Sequence, residues 1–458
     1  MNRESEHESV SEPARVPAGD RPDGEGLWQR YGAEHGVWSE AMLIALHEGR
    51  VRGNRWFSLI DKVSHQRTLE IAWSKVEANA GACGVEGVNI AHFSKNRQSR
   101  LLAVNEHLRE GSYQPSAIKR VYILKAGSNE KRPLGIPTVR DRVVQGALKM
   151  VIEPIFEHDF APNSYGFRPG RGCKDALREV ERQLVAGSRH IVDIDIKGYF
   201  DAIPHEALMK LVEERISDTK VLGLIEAFLK QGVMEAGVET LSEKGSPQGG
   251  LISPLLANIY LNPFDWLMRE LGITSVRYAD DIVVLAASAE QAISALAKIR
   301  EWMESAGLTL HPDKTRIVDM SKCDAYFDFL GYRFKRSGKG KLLKLVRPQS
   351  EQKMREKIRH LTKRCNGHSM KHIIGEVNGI LTGWYAYFKQ ANLHVLAKHD
   401  QWIRMRLRSV LRKGNRGKGR GRGNDHFKWP NRYFAELGLF SLEEAKAYEM
   451  SLPKRVTC

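Results

Sequence analysis

The apolar positions change period several times along the chain, and each change predicts a different kind of element. Between Trp28 and about Gly111 they recur at helical spacing. In FSLIDKVSHQRTLEIAWSKVEANA the residues Leu59, Val63, Leu69, Trp73 and Val76 share broad faces, so a helical N-terminal layer is expected. Two short strand-like runs follow, IKRVYILK and KRPLGIP, and then a helical stretch from Asp141 to Ile155. The segment RHIVDIDIKGYF alternates with period two, which sets Val192, Ile194 and Ile196 on one face of a half-buried strand and Ile191, Asp193 and Asp195 on the other. Helical patterns at 205–231 and 251–271 lead into RYADDIVVL, which reads as strand, Asp-Asp tip, strand. A helix from Ala289 to Ala306 and further strand-like segments carry the pattern to Phe334; mixed order of this kind predicts an α+β domain. Beyond Pro348 the spacing turns helical again through Ile373, Val377, Ile380, Leu381, Trp384 and Phe388, and the neighbouring aromatic rings are assigned mainly to core packing. Residues 1–26, rich in Glu, Ser, Pro and Gly, are expected to form a flexible tail.

Composition adds bounds to this pattern. A chain of 458 residues with 42% apolar content has room for two to four domains with substantial cores. No apolar run approaches the ~18 residues that span a bilayer. Glu4, Glu6, Glu8 and Glu12 stand where a signal or transit peptide would be basic, so a soluble cytoplasmic protein with no membrane partner is expected. Cys83, Cys173, Cys323, Cys365 and Cys458 are odd in number and widely spaced, which argues against a disulfide framework and a cysteine zinc site.

Charge changes the picture more. Lys and Arg number 71 against 55 Asp and Glu, a net charge of +16 that favours a polyanionic partner. Residues 335–424 hold 24 of the cations and only 4 acids, so this end of the chain carries all of the excess. Within it, IRMRLRSVLRKGNRGKGRGRG places nine Arg or Lys between Arg404 and Arg422 without one acid. Its first half reads as a basic helix and its Gly-rich second half as mobile; the run favours nucleic acid over a merely solvated face.

The acids carry the chemistry. Asp195 looks out of one strand, and Asp280 with Asp281 stands at a hairpin tip. If the two strands are neighbours, the three carboxylates meet in a patch whose repulsion a divalent cation would relieve. Oxygen ligation of this kind suits Mg²⁺, and two such ions about 3.5–4 Å apart serve in-line phosphoryl transfer, the chemistry of a polymerase.

At this point a resemblance emerges. NSYGFRPGRGCKDAL (163–177), DIKGYFD (195–201), GSPQGGLISPLLANIYL (245–261), RYADD (277–281), GLTLHPDKT (307–315) and FLGYRF (329–334) occur in the order found in group II intron-encoded reverse transcriptases and maturases. ILTGWYAYF (380–388) further resembles their maturase region. The similarity runs from about Ser58 to about Leu442. It implies a right-hand polymerase of fingers, palm and helical thumb that copies RNA into DNA and assists intron splicing and mobility.

The same resemblance implies roles residue by residue. Asp195, Ile196, Asp280 and Asp281 match the ligands of two Mg²⁺ ions, with Asp281 the less direct, while Asp193 is read as structural. Phe200 matches a ring that crowds the 2′ position of the incoming sugar. Lys125 and Arg132 match cations that grip the triphosphate, Gln248, Gly249 and Gly250 a loop under the templating base pair, and Lys314 a lysine near the departing pyrophosphate. Arg404, Arg408, Arg412, Lys413, Arg416, Lys418, Arg420 and Arg422 fall at the family's DNA-binding position. The expected partners are intron RNA, target DNA, primer-template and deoxynucleoside triphosphates, with a homodimer compatible.

The expected divisions are an N-terminal extension (1–57), fingers and palm (58–340), thumb (341–395) and a basic DNA-binding segment (396–458) without an endonuclease. Two rival readings are an RNA-folding protein with a decayed polymerase site and a relative recruited to DNA repair or defence. The first is opposed by the presence of all three acids and Phe200.

Overall fold

The computed structural model describes residues 24–124, 131–240, 243–364, 367–415, 417–419, 421 and 423–452. Three sheets organise the chain. The first pairs β1 (Ile118–Leu124) with β2 (Lys131–Ile136) as an antiparallel hairpin, and β1 runs parallel to β4 (Val233–Glu235), which pairs with β5 (Val238–Thr240). The second, central sheet has the order β6-β7-β3-β8, from β3 (His190–Asp195), β6 (Ser275–Tyr278), β7 (Asp281–Ala286) and β8 (Arg316–Asp319), antiparallel throughout. A third sheet joins β9 (Tyr326–Phe329), β10 (Tyr332–Arg336) and β11 (Leu342–Val346). This mixed architecture is that of a right-hand polymerase; the sheet of β1, β2, β4 and β5 is called the fingers sheet below, the central sheet the palm and the helices beyond Pro348 the thumb.

The period-two pattern of β3 is realised, but the strand is covered on both faces for most of its length. Val192, Ile194 and Ile196 enter the main core with Ile282 and Val284 of β7. That core also takes in the Val139–Asp159, Ser253–Glu270 and Ala289–Ser305 helices. Ile191 on the opposite face is buried with Val276, Val283 and Leu285 beneath the Cys173–Ala186 helix and the third sheet. On that face Asp193 and Asp195 are half-buried. Alternation by itself cannot distinguish a solvated face from one covered by a second layer.

The expected helical layer is present: Leu59, Val63, Leu69, Trp73 and Val76 are all buried. The described part of the expected extension packs into the core. Leu27, Tyr31, Trp38, Leu43, Leu46 and Trp56 belong to the main core, and the Trp38 indole donates to the Met150 carbonyl at 3.1 Å. The helical spacing from Trp28 onward leaves open what these residues pack against; in the fold they meet the central Val139–Asp159 helix, and Trp56 is also bonded through its main chain to Arg215 and Ser217.

In the thumb, the Pro348–Leu361, Met370–Phe388 and Leu393–Gly414 helices share one core with Trp429, Phe434 and Leu442. A boundary at 395/396 therefore runs through a helix, and the basic segment is continuous with the thumb. Among the described residues no helix is long and apolar enough to cross a membrane.

Candidate active site

Register decides where the acids meet. β3 and β7 pair so that Asp195 lies directly opposite Asp281, with Asp193 opposite Val283 on the same face. Directly opposed side chains of an antiparallel pair share one face of the sheet, so Asp193, Asp195 and Asp281 form one acidic edge. Asp280 occupies the turn between β6 and β7, next to Ala279, whose φ of +57° bends the chain through the left-handed region.

The consequence is electrostatic. The Asp281 carboxyl is pushed up to about 7, by burial first and then by the negative charges of Asp280, Asp195 and Asp193, against a pull from Arg347. Asp281 nonetheless keeps a solvent-exposed edge, through which a cation can reach it. Asp280 is also raised, by burial and by Asp195, against its own main-chain hydrogen bond and the charges of Arg132 and Arg277. Asp193 rises to about 6 by burial, although Arg316, 3.5 Å away, pulls it down. That ion pair agrees with a structural reading of Asp193.

A cation already answers part of this field: Lys314 Nζ donates to Asp195 Oδ2 at 2.9 Å. A donor set of neighbouring carboxylates fits a hard divalent ion. Among the described residues no three acids, histidines or cysteines are gathered tightly enough to enclose an ion, so the set is aligned but open. Ile196 is buried at 4% exposure, which leaves its main-chain carbonyl as the atom able to ligate.

The other predicted residues distribute as follows. Phe200, half-buried on the short Tyr199–Ala202 helix after β3, packs its ring edge-on against Tyr199 at 5.6 Å, and its carbonyl accepts from Ser246. Arg132 of β2 donates through Nε to Gln248 Oε1 at 2.8 Å, and the Gln248 carbonyl accepts from Gly135 at 2.6 Å. Gln248, Asp201 and Arg120 line a small cavity of about 50 Å³ between the fingers sheet and the palm. Asp201, raised by burial and drawn down by Arg120 and Arg132, was missed by the sequence reading although it ends the DIKGYFD motif.

The glycine loop also packs closely against this chain itself. A Cβ on Gly249, at φ +120°, would lie 2.0 Å from the Gly135 carbonyl oxygen, so the backbone it admits is this chain's own β2. Gly250 abuts Ser253 and Gln145. Lys125 lies outside the described residues, as do Arg416, Arg420 and Arg422.

The basic cluster divides, and two of its members are corrected. Arg408 is 2% exposed; it donates to the Trp429 carbonyl at 2.9 Å and to Asn431 at 2.7 Å, so it holds the thumb together and cannot reach DNA. Arg412 pairs with Asp425 at 2.8 Å, an acid that lies beyond the run and neutralises it after folding. The Gly-rich half is partly docked: Gly421 is buried, donates to Ser409 Oγ, and a Cβ there would collide with Arg408. Lys413 and Lys418 remain exposed, and Arg404 is half-buried.

Sequence reasoning also missed the support of the hairpin. Arg277 is fully buried with Asp265 and bonds the turn that carries Asp280. An arginine before a Y-x-D-D motif reads as a surface charge until its partner is seen.

Comparison with known proteins agrees with this geometry. Residues 123–334 match the family profile described as reverse transcriptase (RNA-dependent DNA polymerase), and residues 351–429 match the group II intron, maturase-specific domain. The protein YkfC of Escherichia coli (strain K12) is 36% identical over 300 residues, covering 57% of this chain and 78% of that protein. The group II intron-encoded protein LtrA of Lactococcus lactis subsp. cremoris is 39% identical over 203 residues, covering 44% of this chain and 33% of its own length. A chain of a solved partial Cas6-RT-Cas1–Cas2 complex overlaps only loosely, at TM-score 0.34 and 21% identity over 54% of this chain and 42% of that one.

Proposed function

This chain belongs to the family of group II intron-encoded reverse transcriptases and maturases and is an RNA-directed DNA polymerase, and from that premise we propose that Asp195, Asp280 and Asp281, with the Ile196 carbonyl, hold two Mg²⁺ ions at the end of the palm sheet. The observation that carries the reading is the register of Asp195 opposite Asp281 with Asp280 in the adjoining turn. The ions, when bound, supply positive charge to an attacking primer 3′-hydroxyl and a departing pyrophosphate.

The chain's own residues do the rest. Arg132, fixed by Gln248 beside the acids, and Lys125 neutralise the triphosphate of a deoxynucleotide, where a preset cation costs no reorganisation during transfer. Phe200 crowds the 2′ position and thereby disfavours ribonucleotides. Lys314 donates to Asp195 at 2.9 Å; with ions on the acids it would give up that contact and serve the departing pyrophosphate. The thumb and exposed cations such as Lys413 and Lys418 bind intron RNA and target DNA, and splicing assistance consists of stabilising the active shape of the RNA. Through that binding the enzyme serves intron mobility, with the target DNA supplying the primer.

The test separates the two activities. Asp280→Ala with Asp281→Ala should reduce Mg²⁺-dependent deoxynucleotide incorporation on an RNA template below about 10⁻³ of the parent rate. The same protein should still promote splicing of its cognate intron at low Mg²⁺. Near-normal synthesis by this variant would overturn the assignment of the acids.

A further inference from the structure

Three buried groups converge on the turn that carries the acid patch. Ala279 adopts a left-handed conformation that side chains with a Cβ rarely take, and the turn it makes sets where Asp280 and Asp281 lie. Its carbonyl oxygen accepts from Arg277 Nη1 at 3.1 Å. The same nitrogen donates to Asn258 Oδ1 at 2.9 Å, while Arg277 Nε donates to both carboxylate oxygens of Asp265 at 2.9 and 2.8 Å. Asn258 and Asp265 lie seven residues apart, two turns along one side of the Ser253–Glu270 helix, so a single rigid element holds both.

A second segment abuts the turn. Asn258 Nδ2 donates to the Gly166 carbonyl at 2.7 Å, and a Cβ on Gly166 would lie 2.4 Å from the Ala279 nitrogen. The loop that contains Gly166 is tied to β6 by the Arg277 amide to Asn163 at 2.9 Å and by the Tyr165 amide to Arg277 at 2.9 Å. Arg168, itself buried against Glu157, fixes the same loop through the Ser164 carbonyl.

A buried ion pair adds little stability that a well-packed apolar pair would not. What a guanidinium adds is a planar fork of donors aimed in fixed directions, here at a carboxylate, an amide and a main-chain carbonyl together. We propose that Arg277, oriented by Asp265 and Asn258, is a positioning residue that, with Gly166 abutting the same backbone, presets the Ala279–Asp281 turn against Asp195. The clamp acts on the rate of nucleotide transfer through the acids and leaves nucleotide affinity untouched. It rests on the reading of those acids as the metal-binding site.

Two variants of the full chain test it. Arg277→Lys keeps the charge but loses the fork; Gly166→Ala removes no charge and drives a Cβ into the Ala279 nitrogen. Both should lower the single-turnover rate of deoxynucleotide addition about 100-fold, the scale of an ångström misplacement. Both should keep KM for the nucleotide within about twofold and raise the half-saturating Mg²⁺ concentration. Amide hydrogen exchange at 279–282 should quicken in metal-free protein, while exchange in the Val139–Asp159 helix stays as in the parent.

A lower melting temperature with unchanged exchange at the turn and unchanged Mg²⁺ dependence would make Arg277 merely structural and overturn the clamp. So would parent-like rates in both folded variants. Should Arg277→Lys fail to fold, Gly166→Ala decides alone. Failure of the clamp is distinguishable from failure of the acid assignment, because the exchange readout needs no catalysis while Asp280→Ala with Asp281→Ala reads only catalysis.

Discussion

At the scale of single residues, the acid patch is a stored electrostatic conflict. Asp281, raised to about 7 from an ordinary value near 3.8, keeps its proton in the folded protein over a range where the unfolded chain is already ionised. The folded state therefore binds more protons between those values, and this residue's contribution to stability falls as pH rises from about 4 to about 7. Asp281→Asn should accordingly raise the melting temperature in EDTA more at pH 8 than at pH 5, and millimolar Mg²⁺ should shrink that gain. A difference that ignores pH would mean that the carboxyl is not under strain. Phe200 is argued at the same scale. Truncating its ring to Ala should raise ribonucleotide over deoxynucleotide incorporation by about 10- to 100-fold, the range of about 1–3 kcal/mol for a few missing contact atoms. An unchanged ratio in steady-state competition would remove Phe200 from the sugar pocket.

Elements bring these residues together, and two junctions matter. One is the β3–β7 pairing; a slip of one residue would turn Asp281 to the opposite face from Asp195 and bury its charge in the main core. The other is the contact of β2 with the Gln248 loop, where Gly249 accepts the Gly135 carbonyl at a distance no side chain would allow. Gly249→Ala meets both the collision and a φ of +120°, so it should part the fingers strand from the palm and break the Gly135 to Gln248 hydrogen bond. Steady-state kinetics should show kcat/KM for the nucleotide falling by about 10- to 100-fold as Arg132 loses its anchor, since positioning losses of this size attend small displacements. Retention of parent kcat/KM would show that the latch is dispensable.

Across the whole molecule, the basic surface is smaller than its count of cations suggests. Arg408 lies inside the thumb, Arg406 donates to the Thr362 hydroxyl and carbonyl, and Arg412 is neutralised by Asp425, which leaves Arg404, Lys413 and Lys418 among the described residues of the cluster as candidates for phosphate contact. Each phosphate contact on duplex DNA contributes about −0.9 to the slope of log affinity against log salt. Changing those three to Gln should flatten the slope by about 2–3 units, provided each engages one phosphate. Arg408→Met is the contrasting variant: it should cost about 2–3 kcal/mol in urea unfolding through lost buried hydrogen bonds and leave the slope unchanged. A slope that moves with Arg408 and not with the other three would reverse this map.

The sequence by itself determined the kinds of element, the α+β class, the polymerase motifs and the face on which Asp195 sits, because period and residue type are local properties written directly into the chain. It also located the cationic end, since a count of charges does not need a fold. Tertiary structure alone decided that residues 27–56 belong to the core, that the basic segment is one body with the thumb, and that Gly249 admits this chain's own backbone. It alone paired Arg277 with Asp265 and Arg412 with Asp425. The common reason is that burial and charge neutralisation depend on partners distant in sequence. An arginine looks the same in the chain whether it will meet a phosphate, a carboxylate or a carbonyl, and only the packing of helices against the sheet fixes which of these it reaches.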